Sequence, residues 1–444
     1  MLFLTEAARA LGRSVRAFVK DGRASVAPVS VFVVIGAVGL SAITIDGNTV
    51  RNTRLKLAAA ADASALAGVK AVAMGYGPST AAIALAERNL PPADYGNVLP
   101  PPNVELGTWN PATGAFVPGG ANPGAVRVTM EMSAANGNPL PLSLASVLGL
   151  TSADVTASAV ATTMLKPLCV LALDPYGLGI RLEQNNDVFA SHCTIWSNAR
   201  HTESIAVMSS IGQFDTGVAR PCAAGKYYGD PADFSAPPYE DCAEKADPLA
   251  SHPLPSAGGC LETNVIVKPN ESRVFTPGTY CKGITIKPNA EENGRSITFL
   301  PGVYVFKGGN LHINNNNEIS GDDVLFHFTE GSGFIAESDV EMRLTGRTSG
   351  TYAGLVITQD KENPGTFDIR SNTDFFLDGV VYLPASTLTL GADTHVATAS
   401  PWIALIVKDL QMIANADVTF NVDQDVSSVP YPPVLTQMFT TLVR

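Results

Sequence analysis

Residues 28–45, PVSVFVVIGAVGLSAITI, form an unbroken apolar run without a single charge. At about 1.5 Å per residue, a helix of that length covers about 27 Å, close to the hydrocarbon core of a bilayer. The pattern predicts one transmembrane helix. A cleaved signal peptide fits less well, because the run exceeds the usual ~7–15 residues and no A-x-A-like site follows. Asp46 and Gly47 are then expected to loosen the chain before RLKLAAAADASALAGVKAV (54–72), a predicted helix whose faces are almost all alanine. Asp62 on that helix has no basic residue three or four positions away and is expected to be solvated. A second helix is predicted over 79–90, stopped by Pro91 and Pro92. Alternating segments predict a hairpin over 104–118, turning at Asn110–Gly114, and strands over 124–134 and 154–164. PLSLASVLGL (141–150) between those two strands reads as a brief helix. Residues 46–165 are therefore read as a helical stem and a small α+β module.

From about residue 166 the helical period disappears. Short apolar segments recur between Gly, Asn and Asp, and VKPNESRVFTPGTYCKGITI (267–286) is echoed by IKPNAEENGRSITFLPGVYVFKGGNLHI (286–313). Pro277-Gly278 and Pro301-Gly302 lie 24 residues apart. Polar corners precede strands at 184–189, 314–320, 337–342, 371–376, 391–396 and 415–420, with a longer interval where 361–365 adds a loop. A period of about 20–25 residues with short strands predicts a parallel β-helix-like solenoid, since one coil alone cannot bury its apolar face. Stacked asparagine corners are expected to form amide ladders. An irregular β-sandwich is the rival. The solenoid is assigned to 166–430, with an irregular insertion near 215–258 and a C-terminal tail at 431–444.

Composition changes this picture in three ways. Only 7% of residues are aromatic, so the core is expected to be filled mainly by Val, Ile, Leu and Ala. The net charge of −12 is uneven: the basic tail at 1–27 carries Arg9, Arg13, Arg16, Lys20 and Arg23 against Glu6 and Asp21, a net of +3, which leaves −15 for the rest. So acidic a body excludes nucleic acid as the expected partner. All six cysteines (Cys169, Cys193, Cys222, Cys242, Cys260 and Cys281) fall after the apolar run, as an even set without metal-ligand spacing. They predict disulfides and an oxidising compartment, with pairs of sequence neighbours favoured among fifteen pairings. Basic residues flank the apolar run on both sides, so the cysteines weigh most in placing the N-terminus in the cytoplasm and the bulk outside it.

Candidate chemistry is sparse. G-x-S-x-G, H-E-x-x-H and Walker A patterns are absent, GLGIRL (177–182) lacks the third glycine of a dinucleotide fingerprint, and the six histidines are scattered. SGDDVLFHF offers Asp322, Asp323 and His327 for acid/base work, but Gly-Asp-Asp also makes a turn before a strand. CVLALDP (169–175) ends where a von Willebrand A metal site would begin, yet Tyr176 and Leu178 stand where its serines belong. The expectation is no enzyme, no cofactor and no metal. Tyr304, Phe306, Tyr382 and Trp402 are the aromatic candidates for glycan contact.

The apolar run followed by RNTRLKLAAAADASALAG (51–68) resembles the TadG-like proteins of the tight-adherence (Flp) pilus assembly system. Arg54, Leu55, Ala60, Ala61, Asp62, Ala63, Ala65, Leu66, Ala67 and Gly68 match that family's pattern, with Ser64 a departure. CVLALDP, DPLASHPLP (247–255) and the P-G-x-Y-C and P-G-V-Y repeats are similar to its long exported part. The resemblance implies a bacterial inner-membrane protein, single-pass, whose periplasmic bulk tethers or bridges pilus machinery toward the outer membrane. Its partners would be other pilus-assembly proteins and pilin, with lipid contact through residues 28–45. The stem residues Arg54, Leu55, Ala61, Asp62, Leu66 and Gly68 would pack against a sister helix, a pilus component or the chain's own module. The alternatives are a carbohydrate-binding adhesion protein and, behind it, a β-helix polysaccharide lyase or hydrolase. Processed pilin-like relatives carry Glu five residues after a glycine; here Ala27 follows Gly22 at that distance, so a retained N-terminus is expected.

Overall fold

The structure, a computed structural model, describes residues 26–73, 76–120, 123–208, 212–217, 220–289, 296–370 and 374–443. Gly22 and nearly all of the basic tail lie outside the described residues. The chain divides into two compact units, residues 1–164 with 438–444, and residues 165–437.

In the first unit a single helix, α1, runs from Val26 to Ala73. It passes through Asp46 and Gly47 without a break, contrary to the expected loosening. The reason is that Asp46 is satisfied in place: its carboxylate is buried and accepts three backbone N–H groups from residues 143–145. Among the described residues, no helix is long and apolar enough to cross a membrane. The side chains of residues 28, 29, 35 and 37–43 in the expected span lie outside the described set. Helix α2 (Pro78–Asn89) follows, begun by a proline at its first position. Strands β1 (Val104–Asn110), β2 (Ala115–Pro118), β3 (Ala125–Met132) and β4 (Val155–Ala172) then form an antiparallel sheet in the order β2-β1-β3-β4. The brief helix is a 3-10 turn at Ala145–Leu148.

The second unit is a β-solenoid of about ten turns. One of its faces stacks strand segments in parallel, in a spatial order that departs from the chain order. From one end, the rungs are Cys260–Val267, Gly278–Ile286, Gly302–Lys307, Val324–Thr329, Leu355–Gln359, residues 379–383 and Ile403–Met412. The next rung is residues 168–172 of β4, followed by Thr194–Ser197 and Cys222–Ala223. The chain thus enters in mid-stack, winds outward to one end, returns to the other end, and winds back until its last coil pairs with its first. At this seam Leu405, Ile406 and Val407 lie opposite Val170, Leu171 and Ala172, and Asp417 lies opposite Asp187.

The return is made by residues 243–259, which form a strap. About 17 extended residues reach about 58 Å, whereas nine rung spacings of about 4.8 Å total about 43 Å. The strap therefore has length to spare. Lys245 sits over the Trp196 ring at 4.0 Å, Tyr382 donates its hydroxyl to Asp247 Oδ2 at 2.6 Å, and Lys361 donates to the Ala250 carbonyl. Within the segment read as an irregular insertion near 215–258, Cys222–Ala223 and Tyr227–Tyr228 pair into the stack, and the part after Cys242 is the crossing segment.

Two apolar clusters hold this unit. The interior is lined by aliphatic residues and a stack of rings: Phe275 on Phe299 at 4.8 Å, Phe299 against Phe326 at 4.7 Å, and Phe306 on Phe328 at 4.8 Å. The core is mainly aliphatic, as expected, but the few aromatics are concentrated in one place where positions of successive rungs align. A lateral cluster on the outer face joins Leu325, Leu355, Tyr382, Trp402 and Ile406 to strap residue Leu249 and to Val429 and Leu435. Residues 431–435 are thus part of the packing and not a free tail.

The polar corners recur as expected, but their bonds differ. Gln184, Asn316, Asp339, Asp393 and Asn415 adopt left-handed backbone at these corners, a conformation that Asn and Asp tolerate better than most residues. The amides then satisfy main-chain groups instead of one another. Asn186 Nδ2 donates to the Met412 carbonyl at 3.1 Å while its Oδ1 accepts from Ala416 N–H at 2.7 Å, and Asn363 Nδ2 donates to the Ser332 carbonyl at 2.8 Å. A tight corner turns carbonyls inward, and a buried carbonyl must find a donor.

Candidate functional site

The alanine stem is where sequence and structure point most directly to a working surface. Its inner face, Leu57, Ala60, Ala61, Ala65 and Val69, is buried in one cluster with Ala82 and Ala86 of α2 and Val126, Val128 and Met130 of β3. Methyl-sized side chains are what allow so close an approach. At Gly68 even a Cβ would stand 3.1 Å from Val126 Cγ1. Of the six stem residues proposed for partner packing, Ala61 and Gly68 are therefore occupied by the chain's own module, and Leu66 is half-buried against the same cluster. Asp62 is half-buried. Arg54 and Leu55 point outward, Leu55 being 60% exposed. Ser64, the departure from the family pattern, is wholly buried, and its hydroxyl has no hydrogen-bond partner among the described residues.

Asp46 closes the base of this surface. The Ala145 N–H, first of its three donors, holds its carboxyl below the usual carboxylate range, with those of Ser143 and Leu144 adding to the effect against some desolvation. Sequence reading missed this residue, since nothing local says that a lone Asp after an apolar run caps a turn about a hundred residues later.

Residues 45–161 match the family model described as Tad-like Flp pilus-assembly. The chain carries a Tad-like Flp pilus-assembly domain. This Tad-like domain lies wholly within the first unit, covers α1 from residue 45 onward and the sheet it packs on, and supports a role in pilus assembly alongside other components of that machinery. No curated protein and no solved structure matches the chain.

The six cysteines form Cys169–Cys193, Cys222–Cys242 and Cys260–Cys281, with Cα atoms 5.7, 5.9 and 5.6 Å apart. The first and third join neighbouring rungs, and those separations suit the rung spacing. Cys242 and Cys260 also bracket the strap, so each end of the stack is stapled where a coil has a neighbour on only one side.

The remaining candidates do not assemble. Asp323 adopts a left-handed turn, accepts from the Thr348 N–H at 2.8 Å and pairs with Arg347 at 2.9 Å. His327 is fully buried and faces Thr358 Oγ1 at 2.9 Å and Asp360 Oδ1 at 3.1 Å, not Asp322 or Asp323. Burial pushes its imidazole below the ordinary value, with Asp360 opposing. Among the described residues, no group of three or more His, Cys, Asp or Glu side chains is placed to hold a metal ion. The four glycan candidates are corrected outright, since Tyr304, Phe306, Tyr382 and Trp402 are all fully buried. Tyr304 donates to the Leu300 carbonyl at 2.7 Å and Trp402 Nε1 to the Val429 carbonyl at 2.9 Å, so their polar atoms are committed inside.

Proposed function

We propose that this chain is a non-enzymatic assembly component of a bacterial tight-adherence pilus, anchored in the inner membrane with its bulk in the periplasm. The observation that carries the reading is the Tad-like match over 45–161, which begins where the uncharged run 28–45 ends on the same uninterrupted helix. The apolar run holds the bilayer, and the N-terminus stays in the cytoplasm. The stem presents Arg54 and Leu55 to pilus-assembly partners, and the stapled solenoid serves as a stiff tether or bridge. Three disulfides support an oxidising compartment for the bulk. The burial of all four aromatic candidates removes the specific support for glycan binding, so that reading is not carried further.

Deletion of the gene with complementation in trans tests the proposal, scored by counting surface pili in electron micrographs beside an attachment assay. Loss of pili, restored by complementation, is the expected result. Unchanged pili would overturn the assembly role.

A further inference from the structure

The loop between β3 and β4 has no place in the tethering account. Between Glu131 and Asp154 the chain carries no charge, and the segment 138–153, NPLPLSLASVLGLTSA, contains five leucines. Leu140-Pro141 pairs antiparallel with Ser152-Ala153 and closes the loop at its base, while the 3-10 turn Ala145–Leu148 forms its tip. Leu150 beside the tip is 61% exposed, and Leu142 and Leu144 are only half covered. A single exposed leucine is ordinary on a protein surface, but here Leu150 lies in an uncharged stretch, 132–153, that also leaves Leu142 and Leu144 half covered.

Asp46 decides where the loop sits. Its carboxylate takes the N–H groups of Ser143, Leu144 and Ala145 at 3.0, 3.0 and 2.6 Å, which pins the tip to α1 one residue after the apolar run ends. Ile45, at that level of the helix, is 52% exposed. Arg51 and Arg54, both exposed, stand about 8 and 12 Å farther along the helix axis. The headgroup layer is about 5–7 Å thick on each side, and long basic side chains reach back toward it.

We propose that the loop 138–153 is a second membrane contact, its leucine tip resting in the interfacial layer of the leaflet from which α1 emerges. This inference rests on the reading of residues 28–45 as the anchor. Asp46 makes the two contacts one unit: it hides its own charge at the bilayer boundary and fixes the tip at the depth where apolar side chains gain from leaving water. Two lipid contacts would limit the swing of the stem about its membrane anchor, which a single helix does not.

The full-length protein in phosphatidylethanolamine–phosphatidylglycerol nanodiscs tests this with a single nitroxide label at Leu150→Cys. Control labels sit at Val33→Cys on the apolar run and Thr113→Cys on the β1–β2 turn. Collision with oxygen is compared with collision with a water-soluble nickel complex. The expected oxygen-to-nickel ratio at position 150 shifts well above that at 113, toward that at 33. If position 150 matches 113 while 33 reports lipid, the loop contact is overturned and the anchor stands. If position 33 also reports water, the anchor reading fails first. Shielding of position 150 from both agents means a protein surface covers the loop, and that also overturns the proposal. As a second variant, Leu150→Glu is expected to move a label at Ser146→Cys to the ratio seen at 113; an unchanged lipid-like ratio would overturn the contact.

Discussion

The two units solve the same problem with opposite side chains. The Tad-like unit buries a helix by making it small: Ala60, Ala61, Ala65 and Gly68 let α1 pack so closely that a Cβ at Gly68 would stand 3.1 Å from the Val126 side chain of β3. The solenoid fills one stretch of its interior with large rings from successive rungs, where Phe275 stacks on Phe299, Phe306 stacks on Phe328, and Phe326 meets Phe299 and Phe306 edge-on. In the first case stability depends on the absence of volume, and in the second on its presence. The two regions should therefore fail under opposite kinds of substitution.

The largest effect is expected from truncating the ring stack. Phe326→Ala should cost about 3–5 kcal/mol in denaturant unfolding of the solenoid, since it opens a cavity among the rings of Phe299, Tyr304 and Phe306. A cost under about 1 kcal/mol would mean that neighbouring coils collapse into the gap, and the solenoid would then not depend on its volume as the contrast requires. Replacing both Cys222 and Cys242 by serine should cost about 3 kcal/mol, seen first as faster hydrogen exchange in residues 222–242. Enlarging the stem comes next. Ala61→Leu should destabilise the first unit by about 1–3 kcal/mol by overpacking, whereas a similar gain in volume on the outward face at Ala59 should be nearly neutral. Ser64→Ala should instead stabilise that unit by about 1 kcal/mol, because it removes a buried hydroxyl without a partner. A loss of stability would show that the hydroxyl is bonded after all.

Asp46 supplies the smallest effect and a pH signature. Its carboxyl titrates below its unfolded value of about 3.9, so its contribution is full above about pH 4 and is lost as pH falls through the lowered folded value. Native protein should melt higher than Asp46→Asn at neutral pH, with the gap closing in acid. A gap independent of pH would show that the charge is not what holds the tip.

Much of this architecture was legible in the chain. The strands near 104–118, 124–134 and 154–164, the helix near 79–90 and the coiled repeat after 166 follow from period and turn residues, which act over a few neighbours. The candidate surface was half legible. The alanine run marked α1 as a close-packing helix, but which face was taken, and by what, depended on β3 and α2. The glycan candidates misled because an aromatic residue in a strand looks the same whether it faces inward or out.

Local pattern was enough to specify the repeating parts: an apolar run without charge, a small-faced helix, coils of about 20–25 residues and cysteines one coil apart. The order of the stack, the seam that sets residue 405 on residue 170, the path of the strap and the reach of Asp46 to residues 143–145 came from the folded chain alone. The physical reason is degeneracy. Successive coils share one cross-section, so any of them can stack on another by the same main-chain pairing, and the periodic pattern is silent about the choice. That choice is made by contacts between residues more than a hundred positions apart, which lie in no window of the chain.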